Sequence, residues 1–396
     1  MRNRWGVLAV LFLIRSTMAV QFQSVAAVAP LLGADLGISL ADIGILVGLY
    51  SVPGVALALP GGAVGQRFGD KKTVLAGLIL MIIGSCIMAF SSSWGGQISG
   101  RLVAGVGGVL MAVLMAKMVA DWFTGKELST AMAIFINSWP IGIAVSLLVL
   151  PPIGVAYGAS AVNLAVAALI VVATGLLALT YRSPATSTGT TRSSGRLGRH
   201  ATMAVVCAGL IWALYNMGFV MIFSFGPSML VERGWSITAA GSAISIVLWL
   251  SAVSVPAGGL LADRTGRHDA IMASCFFVTA MLLIVATRTD AIIATFIALG
   301  MLSGLAAGPI LSLPSRVLEP GMRALGMGVF FSISYLGLVL GPTLGGRYAT
   351  WAGSAAAAFD LGAAVILICP VVLWIFHRLQ SGAQIRMQAA PPAIGS

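Results

Sequence analysis

The stretch Gly259-Leu260-Leu261-Ala262-Asp263-Arg264-Thr265-Gly266-Arg267-His268 lies between two long apolar runs. At an offset of 197 residues, counted from Gly62 to Gly259, the stretch Gly62-Ala63-Val64-Gly65-Gln66-Arg67-Phe68-Gly69-Asp70-Lys71 lies between two others. The resemblance extends outward. Pro30 pairs with Pro227 at the same offset, Asp121 with Glu319 at 198, and Gly142 with Gly337 at 195. Near-equal offsets in chain order mark two parallel repeats related by an axis along the membrane normal.

Composition places both repeats in lipid. Of 396 residues, 59% are hydrophobic and 8% charged, and the mean hydropathy is +1.03, which leaves too little polar surface to cover a soluble globule. Crossing a hydrocarbon core takes roughly 20 apolar residues. The uncharged runs meet that length at Trp5 to Leu32, Leu40 to Ala63, Thr73 to Phe90, Gln97 to Ala120, Leu128 to Leu150 and Ala159 to Tyr181. In the second repeat they fall at Ala201 to Phe225, Ile237 to Ala262, Ala270 to Thr287, Ala291 to Val317, Arg323 to Gly346 and Ser354 to Phe376. Continuous runs of this length read as helices, because closed barrels show alternating runs of about ten residues.

The basic residues set the orientation. With the N-terminus in the cytoplasm, only Arg233, Arg288 and Arg347 fall in external loops and only Arg15, Arg101 and Lys117 within spans; the rest of the 22 Lys and Arg are cytoplasmic. That bias predicts N-in and C-in. It also accounts for the net charge of +11 through loops facing anionic headgroups, so no nucleic-acid partner is expected. The first span, preceded by arginines, reads as an uncleaved helix.

The chain divides into an N-terminal six-helix bundle (1–182), a Ser/Thr/Gly/Arg-rich flexible linker (183–199), a C-terminal six-helix bundle (200–378) and a disordered cytoplasmic tail (379–396). Cys86, Cys207, Cys275 and Cys369 stand alone in apolar spans, which predicts neither disulfides nor a metal site. No span holds a His, a pair of acids or clustered Cys, so neither an enzyme nor a cofactor is expected.

These motifs resemble the major facilitator superfamily over essentially the whole chain. Gly259 through Arg267 matches its glycine, acid, arginine, glycine, basic loop. Gly337-Leu338-Val339-Leu340-Gly341-Pro342-Thr343-Leu344-Gly345-Gly346 matches its glycine-proline element, and Arg101-Leu102-Val103-Ala104-Gly105-Val106-Gly107 its arginine-glycine element. The resemblance implies an all-α integral membrane protein with twelve transmembrane helices in two pseudo-twofold bundles, working as a monomer. Within the family, the Arg-bearing first helix and Asn137-Ser138-Trp139-Pro140 are similar to cyanate and nitrate/nitrite porters. In the family the loop motif clamps the cytoplasmic gate. Here Gln66 replaces the usual acid and Asp70 the usual base, so Asp263, Arg264 and Arg267 carry the clamp with Arg67 as residual partner, on turns that need Gly69 and Gly266.

An ionisable group inside a membrane is a functional candidate because inserting it costs roughly 2.5 to 3.5 kcal/mol at a helix centre. Arg15 lies about 15 Å into the first helix, close to the midplane. Gln23 borders its stripe. The repeat-related stripe on the seventh helix carries Trp212, Tyr215, Asn216 and Phe219. A fixed guanidinium among aromatic walls and amide donors suits a small anion, since it offers a carboxylate two parallel hydrogen bonds. Asn137 and Tyr335 are further candidates. Arg101 reads either as a cavity or coupling charge or as a snorkelling anchor, and Lys117 as an interfacial anchor.

The expected function is therefore secondary transport of a small organic or inorganic anion by rocker-switch alternating access, as uptake across the inner cell membrane. A coupling proton or exchange anion is the expected second partner. Efflux of an apolar or cationic compound is the alternative, and a non-transporting membrane sensor a remote one.

Overall fold

A computed structural model describes residues 3–57, 61–123, 127–182, 198–318 and 322–389. The twelve spans are helical. In the first half they are α1 (Arg4–Ala27), α2 (Leu40–Leu57), α3 (Asp70–Phe90), α4 (Trp94–Phe123), α5 (128–157) and α6 (159–180). In the second half they are α7 (Arg199–Glu232), α8 (Ile237–Thr265), α9 (His268–Arg288), α10 (Ile292–Arg316), α11 (Arg323–Ala352) and α12 (356–389).

Local chemistry explains where they start and stop. Ser39 and Asp42 form a reciprocal capping box that opens α2: the Ser39 amide donates to Asp42 Oδ2 at 2.9 Å, and the Asp42 amide to Ser39 Oγ at 3.3 Å. Gly266, at φ +65°, closes α8, and Gly69, at φ +88°, precedes α3; both conformations are open to glycine and costly for other residues.

Several expected boundaries move. The first span breaks at Val28, because Pro30 starts a separate short helix, Ala29–Leu36. The loop expected after Leu150 is absent: helix continues through Pro151 and Pro152, and α5 turns into α6 at Gly158, φ +83°. α10 tightens into 3₁₀ turns at Gly304–Ala306 and Leu313–Arg316. The tail expected to be unstructured from residue 379 is helical to Ala389, consistent with its run of Gln, Ala, Arg and Met, all good helix formers. Of the expected linker, residues 183–197 lie outside the described residues, as does 390–396 of the tail.

The two halves meet along three seams. Between α2 and α11, the Ala41 amide donates to Thr350 Oγ1 at 2.8 Å, a Cβ on Gly44 would collide with the Pro342 carbonyl, and the seam ends where Gly54 backs onto the Tyr335 ring. Between α5 and α8 the seam runs from Gly241, packed on the Leu147 carbonyl, to Asn137, whose Nδ2 donates to Ala252 O at 3.0 Å. Between α1 and α7, Gln23 Nε2 donates to Phe223 O at 2.7 Å. All three seams occupy the half of the membrane opposite the basic loops and end near its middle. At the basic end, every ion pair among the described residues joins groups of one half. The structure is thus closed outside and unlatched inside.

Candidate functional site

Arg15 stands where the α5/α8 and α2/α11 seams stop. Its Nη1 donates to Phe135 O (3.0 Å), Ile136 O (3.3 Å) and Ser138 Oγ (3.1 Å), and the Phe135 ring lies 4.7 Å from its guanidinium carbon. The acceptors exist because α5 is interrupted at Asn137, and because Pro140 has no N–H to give Ile136 O. Nη2 has no hydrogen bond among the described residues, and Nε is buried without a partner. Tyr335, from the other half, lies within electrostatic reach. The residue as a whole is half-buried, and Nη1 makes all of its hydrogen bonds to described groups.

Arg101 is held differently. It is 0% exposed, and its three nitrogens donate to Leu46 O (2.9 Å), Gln21 O (2.8 Å) and Phe22 O (2.9 Å), with the Tyr50 ring 4.9 Å from the guanidinium carbon. It neither snorkels nor presents a donor to a cavity; it ties α1, α2 and α4 together. Gln21 and Tyr50, which sequence reasoning passed over, complete this core: Tyr50 OH donates to Gln21 Oε1 at 3.2 Å, and Gln21 Nε2 reaches Met81 O and Ser85 Oγ, both at 2.7 Å.

The other candidates scatter. Gln23 and Asn137 spend their amide donors on the opposite half. Tyr215 is buried and turned into its own bundle, where its hydroxyl donates to Ser303 O and meets Thr279 Oγ1 at 3.3 Å. Asn216 donates to Trp212 O of its own helix at 2.7 Å, and Trp212 stacks on Phe330 with centroids 6.5 Å apart. Asn137 and Tyr335 are therefore the residues brought closest to Arg15. Phe135 and Ser138 also join it; Phe135 was not singled out by sequence, and Ser138 only as part of the Asn137-to-Pro140 stretch.

The loop residues are separate again. Asp263, Arg264 and Arg267 are exposed, and the one ion-pair neighbour of Asp263 among the described residues is the His268 imidazole at 4.0 Å. Arg67 is exposed beside the Phe68 ring. Among the described residues, no ion pair joins these groups across the gate. Instead each half has an internal pair joining its third and fourth helices. Asp70 meets Lys117 at 2.6 Å, with Asp121 at 3.9 Å from the same ammonium; Asp269 meets Arg316 at 2.8 Å. Lys117 is thus an ion-pair partner rather than a plain interfacial anchor, and the acid at position 70, anomalous beside the usual base, has its counter-charge on α4. Removing the ammonium by Lys117→Met leaves two half-buried carboxylates facing each other. The variant should lose about 1–3 kcal/mol in thermal unfolding, and an unchanged melting temperature would show the pair to be idle.

A membrane carrier built of two six-helix bundles that meet along one half of the membrane is the class these features define. The family model of the Major Facilitator Superfamily matches residues 11–229 and again 208–389, and the chain belongs to that family. It is 22% identical over 427 aligned positions to the hexuronate transporter of Bacillus subtilis (strain 168), covering 99% of each chain. It is also 24% identical over 325 to the inner membrane transport protein YajR of Escherichia coli (strain K12), covering 78% of this chain and 70% of YajR. Among solved structures, a bacterial homologue of the human lysosomal transporter Spinster, in an inward-facing and occupied conformation, superposes with a TM-score of 0.77 at 17% identity over 99% of this chain and 100% of that one. A variant of the nucleoside transporter NupG gives a TM-score of 0.71 at 14% identity over 93% and 99%.

Proposed function

We propose that this major facilitator transporter carries a small organic or inorganic anion, that it does so by rocker-switch alternating access, and that it works as an uptake system in the inner cell membrane. The observation that carries the reading is Arg15: a guanidinium near the membrane middle, at the inner limit of both seams, with an edge that no described group fills. Charge accounting supports it. Arg15 and Arg101 are bonded to carbonyls and hydroxyls, which satisfy donors but cancel no net charge, and every described Asp and Glu sits in a loop or within about a turn of a helix end. The N-terminal half thus holds two uncompensated positive charges, which draw an anion.

Among the described residues a coupling proton has no carboxylate to ride on more than about a turn from a helix end, which favours exchange against a second anion. The similar hexuronate transporter handles, by its name, a carboxylate. The planar fork of a guanidinium suits inorganic planar anions as well as carboxylates. A second reading, efflux of an apolar or cationic compound, draws on the rings of Phe22, Trp139, Phe219 and Phe223 clustered where α1, α5 and α7 meet.

Thermal unfolding of the purified protein against a panel of hexuronates, small carboxylates, nitrate, cyanate and lipophilic cations separates the two. A ligand at a hundred times its Kd adds roughly 2.7 kcal/mol to stability. The expected result is stabilisation by at least one anion, lost in Arg15→Ala; stabilisation by cations alone moves support to efflux.

A further inference from the structure

The two amide side chains that cross between the halves share a feature. In an α-helix the carbonyl of residue i is taken by the N–H of i+4, and a proline at i+4 supplies none. Pro227 in α7 thereby leaves Phe223 O without its helical partner, and Pro256 in α8 does the same to Ala252 O. Those are the two carbonyls that Gln23 Nε2 (2.7 Å) and Asn137 Nδ2 (3.0 Å) reach from the N-terminal half. We propose that Gln23 and Asn137 are positioning residues of the transport cycle: each docks an amide on a proline-orphaned carbonyl of the opposite half, Gln23 as the latch of the outer gate and Asn137 as the pivot at the seam's inner limit.

The chemistry makes such a bond reversible. A carbonyl with an in-helix partner gains little from a second donor, whereas an orphaned, buried one is costly until something donates to it. Water does so when the gate opens, and Gln23 does so when it closes. Gln23 Oε1, Ser224 Oγ and Ser228 Oγ are buried beside the latch with no hydrogen-bond partner among the described residues. Nothing in this depends on what the cavity carries.

The test reads gate opening by maleimide labelling at Ser228→Cys, with the four native cysteines replaced by serine; Ser228 is 6% exposed in the closed gate. Gln23→Leu should raise the labelling rate about three- to tenfold, the worth of one interhelical hydrogen bond. Pro227→Ala returns an N–H to Phe223 O, so in that background Gln23→Leu should change the rate less than about twofold. Should Gln23→Leu fail to reach the membrane, Gln23→Met gives the same readout in a closer shape. Unchanged labelling, or an equal rise in both proline backgrounds, overturns the latch, since a side chain acting through packing alone would not sense whether residue 227 carries an N–H.

Discussion

Replacing Arg15 by lysine is expected to lower the apparent affinity for the transported anion at least about tenfold even though the charge is kept. On the proposed function the guanidinium does two tasks at once. Nη1 is fixed by the Phe135 and Ile136 carbonyls and Ser138 Oγ, and the Nε and Nη2 edge is left over. An ammonium has a single nitrogen on a flexible stem. It can sit on the carbonyls or on the ligand, and in either place it offers no pair of parallel donors. Arg15→Ala removes the charge as well and should abolish binding. Ligand titrations of the three proteins, followed by their thermal shift, check the order; a lysine variant that binds as the wild type would mean that Arg15 acts as a charge alone or not at all.

The largest structural effect is expected at Arg101. Arg101→Ala deletes the largest fully buried side chain among the described residues, together with three charge-assisted hydrogen bonds that join α4 to α1 and α2. A cavity of that size and the loss of those bonds together should cost roughly 3–5 kcal/mol. Arg101→Lys should recover little, because one ammonium cannot reach carbonyls on two helices at the same time. Thermal or chemical unfolding in detergent measures both variants. Near-native stability of the lysine variant would show that charge against the Tyr50 ring, rather than the three-way fork, holds the bundle.

Periodicity and charge made much of this molecule legible. Apolar run lengths gave the twelve spans, and the duplicated loop around Asp263 gave the division into halves. What misled was punctuation. Pro151-Pro152 reads as a helix end, yet the turn falls at Gly158, the residue in that stretch that takes a positive φ. Arg15 stood out because an ionisable residue in a long apolar run is conspicuous, whereas its partners did not, since backbone carbonyls leave no mark in a side-chain sequence. Gln23 and Asn137 had the right polarity and depth, but their donors are used between the bundles. The prolines four residues beyond Phe223 and Ala252 were the available signal. Tyr215 shares a helical stripe with Trp212 and Phe219 and still faces inward, because a stripe that wide spans both the cavity wall and the bundle core. Asp70 looked like a defect in the loop motif until Lys117 supplied its counter-charge.

The central claim, that Arg15 is the group on which the carried anion rests, is tested most directly by flux. Wild type and Arg15→Ala, reconstituted into proteoliposomes at equal density, are compared for uptake of a labelled anion taken from the thermal screen, with and without a pH gradient. Saturable uptake by the wild type, reduced in the variant to the rate of empty vesicles, is the predicted result. Equal uptake by the two proteins would contradict it.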